Sequence, residues 1–336
     1  MNSRSTELKL IEIIKKEVSS ETPLTSVITD IGDDCVILRP TKEADLVVTK
    51  DCMVEGVHFD LSYTTPYFIG RKLATSNLSD IGAAGGRPLW ALLGLGFRSD
   101  FSTAFYQSFF KGLLSSLKRE GVGLVGGDTV SAKERLFFSL TLIGEVPKGK
   151  FLSRAKARPG DRIFVSGPLG DSQGGLFLLQ NRIKPPIPRN PLKYLIKSHL
   201  DPSYPMGLGR RLLELDLASS SIDVSDGLST DLWHICERSK VRCIIEESAI
   251  PISRPLRLLS KAAHVRPLDF AISGGEDFEI IWTTPPHKAQ EVKKVASKLL
   301  KRPPYEIGYV EEGKGVFLKD SRGKLREIGR LGYEHR

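Results

Sequence analysis

Cysteine is scarce in this chain and falls in no recognisable pattern. The four residues, Cys35, Cys52, Cys236 and Cys243, form no CxxC pair and no His/Cys spacing of the zinc-binding kind. Reduced thiols are expected, with neither a structural zinc nor a disulfide framework. Long apolar runs are missing as well. The longest, around Leu89 to Phe97, is far short of the ~20 residues that cross a bilayer. The opening residues, Met1 to Glu7, are polar and lack the apolar stretch of a signal peptide. A soluble cytoplasmic protein without a membrane partner is therefore expected. Neither GxxxxGK[ST] nor GxGxxG occurs, which removes the P-loop and Rossmann readings. No Ser/His/Asp order and no Cys/His nucleophile stands out. The net charge is +9, yet the basic residues are spread thinly, as in Lys15-Lys16, Arg210-Arg211 and Lys293-Lys294. Without a basic arm, aromatic interleaving or a finger motif, a nucleic-acid partner is not expected.

What is present is a globular composition over 336 residues, enough for two domains. The Lys-, Arg-, Pro- and Gly-rich stretch from Pro147 to Gly160 is the best boundary, giving domains at 1–147 and 148–336. Leu8, Ile11, Ile14 and Val18 share a helix face, and helices are read at Tyr67 to Ala84, Phe105 to Lys118, Met206 to Leu215 and Leu228 to Arg238. Strands are read at Cys35 to Leu38, Leu46 to Thr49 ending in Lys50-Asp51, Trp90 to Phe97, Gly123 to Val125 and Arg135 to Gly144. Further strands are read at Arg162 to Ser166, Ser221 to Val224 and Phe278 to Trp282. Lys184 to Pro191 reads as a Pro-rich connector. Both halves mix helices and strands in an α/β-like order.

Acidic residues beside glycine recur along this basic chain. They read Gly32-Asp33-Asp34, Gly127-Asp128, Asp226-Gly227 and Gly275-Glu276-Asp277. Glycine permits a tight turn and lets a ligand approach the backbone. A short carboxylate on such a turn is a hard-oxygen ligand for Mg²⁺, which in turn suits phosphate. Each motif also has a plain reading as turn chemistry, and Ser225 or Asp226 could simply cap a helix. Asp80 is harder to set aside. It lies i, i+3 from Asn77 on a helix whose other residues look packed, and a carboxylate there needs a partner. Asp223 sits inside an apolar strand. The loop Gly167 to Gly175, leading into a helix, has the form of an anion site. The set points to a metal-dependent nucleotide enzyme of the phosphoryl-transfer kind, where positioning and charge neutralisation do most of the catalysis. The opposing reading, suggested by the +9 charge and Lys50, is a nucleic-acid or scaffold protein that keeps the fold without the catalysis.

In order along the chain, Ile31-Gly32-Asp33-Asp34-Cys35, then Asp51 with Val54-Glu55-Gly56-Val57-His58-Phe59, Asn77-Leu78-Ser79-Asp80-Ile81 and Gly126-Gly127-Asp128-Thr129 resemble the thiamine-monophosphate kinase family. Asp223-Val224-Ser225-Asp226-Gly227, Gly274-Gly275-Glu276-Asp277 and the final Gly332-Tyr333-Glu334-His335 continue the match. The wider superfamily, called PurM-like, includes aminoimidazole ribonucleotide synthetase, selenophosphate synthetase and a hydrogenase maturation factor. The resemblance implies a two-domain α/β (α+β) PurM-like fold. Its N-terminal mixed sheet with helices would pair in a homodimer barrel, beside a C-terminal α/β domain. It also implies ATP-dependent phosphorylation of thiamine monophosphate to thiamine diphosphate with several Mg²⁺ ions and no general base. By position, Asp34, Thr49, Asp51, Asp80, Asp128, Asp223 and Asp226 resemble metal contacts. Gly127, Asp128, Arg154 and Ser225 match ATP contacts, and His58, Glu276 and Tyr333 match substrate contacts. Two departures stand out: Lys50 replaces a usual hydroxyl residue and puts a cation near a metal position, and Arg336 replaces the aromatic that often follows the terminal histidine.

Overall fold

The computed structural model describes residues 11–18, 25–29, 35–181 and 185–333. Asp33, Asp34, Glu334, His335 and Arg336 lie outside the described residues. The chain divides into two compact units, Met1–Ile81 with Arg87–Gly149, and Gly82–Gly86 with Lys150–Arg336.

The first unit opens with a helix over 11–18 (α1). Strands Val27–Thr29 (β1) and Ile37–Leu38 (β2) follow as an antiparallel pair. The main sheet is built from Ala44–Val54 (β3), Arg87–Phe97 (β4), Gly123–Ser131 (β5) and Phe137–Pro147 (β6), in the order β3-β6-β4-β5. Only β4 and β5 run parallel. Helices Pro66–Ala83 (α2) and Thr103–Arg119 (α3) accompany it. α3 begins where Ser102 accepts from Phe105 N–H, and ends on Lys118 and Arg119, cations suited to a helix C-terminus. Its Phe109, Phe110, Leu113 and Leu117 are fully buried, each contributing roughly 2 kcal/mol of burial. Phe109 stacks on Phe138 of β6 at 4.2 Å. Period-2 alternation then divides β3. Val47, Thr49, Asp51 and Met53 turn to the packed side, while Leu46, Val48, Lys50 and Cys52 are exposed on the other.

The second unit holds a seven-stranded sheet in the order β13-β12-β9-β11-β7-β10-β8. Its strands are Arg162–Val165 (β7), Ser220–Asp223 (β8), Val241–Glu246 (β9), Ile280–Thr284 (β10), Tyr305–Glu312 (β11), Gly315–Lys319 (β12) and Leu325–Ile328 (β13). All pairings are antiparallel except β12 with β9. The helices are Asp171–Asn181 (α4), Arg189–Leu200 (α5), Leu208–Glu214 (α6), Leu228–Ser239 (α7), Arg254–Ala263 (α8), Pro267–Ser273 (α9) and Ala289–Leu300 (α10). Every residue of β10 is buried, because the sheet is covered on both faces. Ile281 joins the core under α7 and α9, whereas Ile280 and Trp282 join the one under α6 and α10.

The elements correct the sequence reading in three places. β3 does not end at Asp51 but runs on to Val54, because Met53 is buried opposite Phe138. Gly126-Gly127-Asp128-Thr129 is not a loop after a strand; it lies within β5. The Pro-rich connector does not reach Pro191: a helix, α5, begins at Arg189, with Leu195 and His199 on its buried side.

Candidate functional site

In the first unit, β3 and α2 bring three of the expected residues together. Thr49 Oγ1 donates to Asp80 Oδ2 at 2.5 Å. Two residues on, Asp51 N–H donates to Asn77 Oδ1 at 3.3 Å. Asn77 is fully buried and anchored by its own Nδ2–H to Leu73 O at 2.9 Å, so it fixes β3 against α2. The i, i+3 spacing of Asn77 and Asp80 thus serves two jobs, one structural and one that aims a carboxylate. Lys50 is exposed on the opposite face of β3 from Thr49 and Asp51. The strand's alternation therefore turns its cation away from the expected metal position. His58 follows a turn closed by its own N–H on Val54 O at 3.0 Å, and its Nδ1 accepts from Val54 N–H at 3.2 Å. The neutral ring then carries its proton on Nε2.

Asp128 stands apart from this group. It is exposed on β5, opposite Gly94, which faces Ser139 and then Cys52 across the sheet. It therefore shares the open face with Cys52, three strands from β3. Gly127 has φ +153°, and a Cβ there would meet Leu93 O at 1.9 Å. Close approach of β4 demands this glycine, with or without a ligand.

In the second unit, four expected residues gather around the turn from β8 into α7. Glu276 N–H donates to Ser225 O at 2.8 Å and Phe278 N–H to Val224 O at 2.9 Å. Tyr333 N–H donates to Asp226 O at 3.1 Å. The segment carrying Tyr333 is stitched down further, by Leu331 N–H to Ser229 Oγ and Gly332 N–H to Thr230 Oγ1. Asp223 is buried at the end of β8. Arg154 is exposed; its carbonyl accepts from Ser239 Oγ at 2.6 Å. Burial and the nearby Arg154 and Arg330 cations lower the pKa of His234 on α7, against an opposing pull from Asp226.

Two acids whose structural roles the sequence did not reveal organise this region. Asp231, buried in the first turn of α7, accepts Gly227 N–H at 3.0 Å and Asp226 N–H at 3.3 Å. It caps the helix, a task the sequence offered to Ser225 or Asp226. Burial, then the neighbouring Asp223 and Asp226 carboxylates, push Asp231 well above the usual carboxylate range. Its signal was an Asp on the helix face otherwise formed by Leu228, Leu232 and Ile235. Asp277 accepts Gly170 N–H at 2.6 Å and Ser172 N–H at 3.0 Å. The glycine loop before α4 is therefore not an open anion site, because the protein's own carboxylate fills it. Burial raises Asp277 as well. Nearby Glu279 is half-buried and desolvation raises it too, with Arg302 opposing at 3.1 Å.

Among the described residues no three His, Cys, Asp or Glu side chains stand close enough to hold a metal ion by themselves. The donors instead come as hard-oxygen sets: a hydroxyl on a carboxylate at Thr49–Asp80, and crowded acids at Asp223, Asp226 and Asp231. Like charges concentrated in partly buried surroundings favour a cation. Hard carboxylate and hydroxyl oxygens of this kind suit Mg²⁺.

The family model for the AIR synthase related protein, N-terminal domain, matches residues 32–146, and that for its C-terminal domain matches residues 158–321. Fold and acidic clusters together set the class: a two-domain protein related to AIR synthase, of the PurM-like α+β kind. The thiamine-monophosphate kinase of Bacillus subtilis is 35% identical to this chain, covering 95% of it and 98% of the relative. By that likeness the chain belongs to the thiamine-monophosphate kinase family. The thiamine-monophosphate kinase structure from Stenotrophomonas maltophilia superposes with a TM-score of 0.82 at 33% identity, covering 94% of this chain and 96% of that one. AaThiL complexed with AMPPCP and TMP gives 0.77 at 31% identity, covering 98% and 97%. Among the described residues no helix is long and apolar enough to cross a membrane.

Proposed function

We propose that this protein transfers a phosphoryl group from ATP to thiamine monophosphate, forming thiamine diphosphate by direct in-line displacement. Family membership supports the reaction, as does the relative complexed with AMPPCP and TMP. The observation that carries it into this chain is the gathering of Ser225, Asp226, Glu276 and Tyr333 about one turn. A partly exposed carboxylate suits a cationic heterocycle, and an exposed phenol ring offers it a stacking surface.

Asp34, Asp51, Asp80, Asp128, Asp223 and Asp226, with the Thr49 hydroxyl, are the donors we assign to Mg²⁺. Bound Mg²⁺ supplies neutralisation of the phosphate charge. Gly127, Asp128, Arg154 and Ser225 are assigned to ATP, the guanidinium of Arg154 suiting a phosphate oxygen. His58, with its proton on Nε2, Glu276 and Tyr333 are assigned to the thiamine moiety. The attacking phosphate oxygen is already anionic, so no side chain is required as general base. In this reading residues 1–147 form the pairing domain and carry Asp34, Thr49, Asp51, Asp80 and Asp128, and 148–336 form a second domain that carries Arg154, Asp223, Ser225 and Asp226. Leu46 and Val48 are 53% and 59% exposed on the open face of β3. We assign that face to a second copy, two sheets closing as a barrel in a homodimer. A cytoplasmic setting without nucleic acid belongs to the same reading.

The test is thiamine diphosphate formation from ATP, Mg²⁺ and thiamine monophosphate, in the native chain and in Asp80→Asn. Native turnover with this acceptor is expected, with a loss of at least ~100-fold in the variant, as for removal of a charge-stabilising group. The variant keeps an acceptor for Thr49, so its melting temperature should hold. Turnover only with another acceptor would overturn the reaction, and near-normal Asp80→Asn activity would overturn the assignment of Asp80.

A further inference from the structure

Glu276 is held in an uncommon way. Its φ of +60° is a left-handed conformation that side chains rarely adopt, and Phe278 repeats it at +49°. Such strain persists only where surrounding structure over-determines it. Here two backbone hydrogen bonds pin the loop, from Glu276 N–H to Ser225 O and from Phe278 N–H to Val224 O. Asp277, between them, is fixed on the start of α4. With the backbone fixed, the remaining freedom of Glu276 lies in its side chain, which has several rotamers to lose on binding.

A buried group meets that side chain. His199, 4% exposed on α5, places Nδ1 3.3 Å from Glu276 Oε2, whose side chain is 31% exposed. The same nitrogen lies 3.2 Å from Ser172 Oγ. An ionised carboxylate only accepts, so a hydrogen bond here requires the proton on Nδ1, and the hydroxyl of Ser172 can share it. The imidazole is brought there by close helix packing. A Cβ on Gly175 of α4 would meet Leu195 O of α5 at 2.1 Å and His199 Cβ at 2.9 Å. α4 supplies Ser172 and the space, and α5 supplies the ring.

We propose that His199 is a positioning residue for Glu276, holding its carboxylate in the orientation that meets the positively charged ring of the substrate. This rests on the reading of Glu276 as a substrate contact. A histidine that merely fills space would be indifferent to Glu276; one that orients it acts on the organic substrate and leaves ATP alone.

The experiment is steady-state kinetics on the full chain with His199→Leu, His199→Asn, His199→Gln, Glu276→Gln and the His199→Leu/Glu276→Gln double variant, each checked by thermal melting. Asn puts an N–H where Nδ1 stood, whereas Gln puts it near Nε2. His199→Leu and His199→Gln should raise KM for thiamine monophosphate about tenfold. KM for ATP should stay within about twofold, with kcat little changed. His199→Asn should restore most of the loss. In the Glu276→Gln background, His199→Leu should add almost nothing. Equal rises in both KM values, additive effects in the double variant, or Asn and Gln behaving alike would overturn the proposal. If His199→Leu fails to fold, the Asn and Gln pair decides it. A Glu276→Gln variant with unchanged KM for thiamine monophosphate would instead sink the substrate-contact reading, and the proposal with it.

Discussion

Tyr106 on α3 is buried, and its hydroxyl faces in two directions along one backbone. It donates to Arg98 O at 2.8 Å and accepts Arg98 N–H at 2.9 Å. Burial pushes its pKa up to about 12, with the hydrogen bond from Arg98 N–H opposing. A raised folded-state pKa means the fold favours the protonated phenol. The stability this contributes is therefore complete below pH 10, the ordinary tyrosine value, and is lost as the pH climbs from there through about 12. Tyr106→Phe should cost about 1–2 kcal/mol at neutral pH, since Arg98 N–H loses its acceptor. The same variant should show a shallower alkaline decline, readable from denaturant unfolding at pH 8 and 11; parallel declines would refute this. Single residues were read unevenly from the sequence. Thr49 and Asp80 do meet, and the Asp51 backbone meets Asn77, because strand and helix periodicity already aimed them. Lys50 was misjudged because proximity in sequence is opposite direction on a strand. Asp231 and Asp277 were invisible as caps, because each satisfies N–H groups that only the folded chain brings to it.

At the scale of elements, α2 and α3 pack by mutual removal of side chains. A Cβ on Gly112 of α3 would meet Tyr67 O at 1.9 Å, and one on Gly70 of α2 would meet Phe109 O at 2.2 Å. Backbone against backbone leaves no flexible atom to yield. Gly112→Ala should destabilise the protein by about 3 kcal/mol, at the upper end for overpacking, despite alanine's better helix propensity. A loss of melting temperature would register it, and an unchanged or raised value would show that the helices can part. These helices were legible from apolar spacing, as was most of β4. α5 was not, because prolines at 185, 186, 188 and 191 masked a pattern carried by Leu192, Leu195, Ile196 and His199. β9, α8 and the strands from β11 onward were also passed over. They hold no acidic glycine motif to mark them.

For the whole molecule, the order of the acidic motifs along the chain was enough to point to the family, while sheet order was not accessible to local pattern. A largely antiparallel seven-stranded sheet depends on pairings between segments as distant as β7 and β11. The proposed homodimer has its own test at this scale. Leu46→Lys with Val48→Lys adds like charges to a surface already bearing Lys50, and should shift the protein toward monomer in analytical ultracentrifugation. An unchanged mass would move the pairing surface elsewhere.

The stitching of Leu331, Gly332 and Tyr333 onto α7 and its preceding turn bears on how the protein is handled. Whatever is fused after residue 336 begins a few residues along the chain from Tyr333, whose N–H donates to Asp226 O. A polyhistidine tag there would set a chelator of divalent cations beside the acids assigned to Mg²⁺. An affinity handle at the other end of the chain keeps purification chemistry out of the enzyme's own.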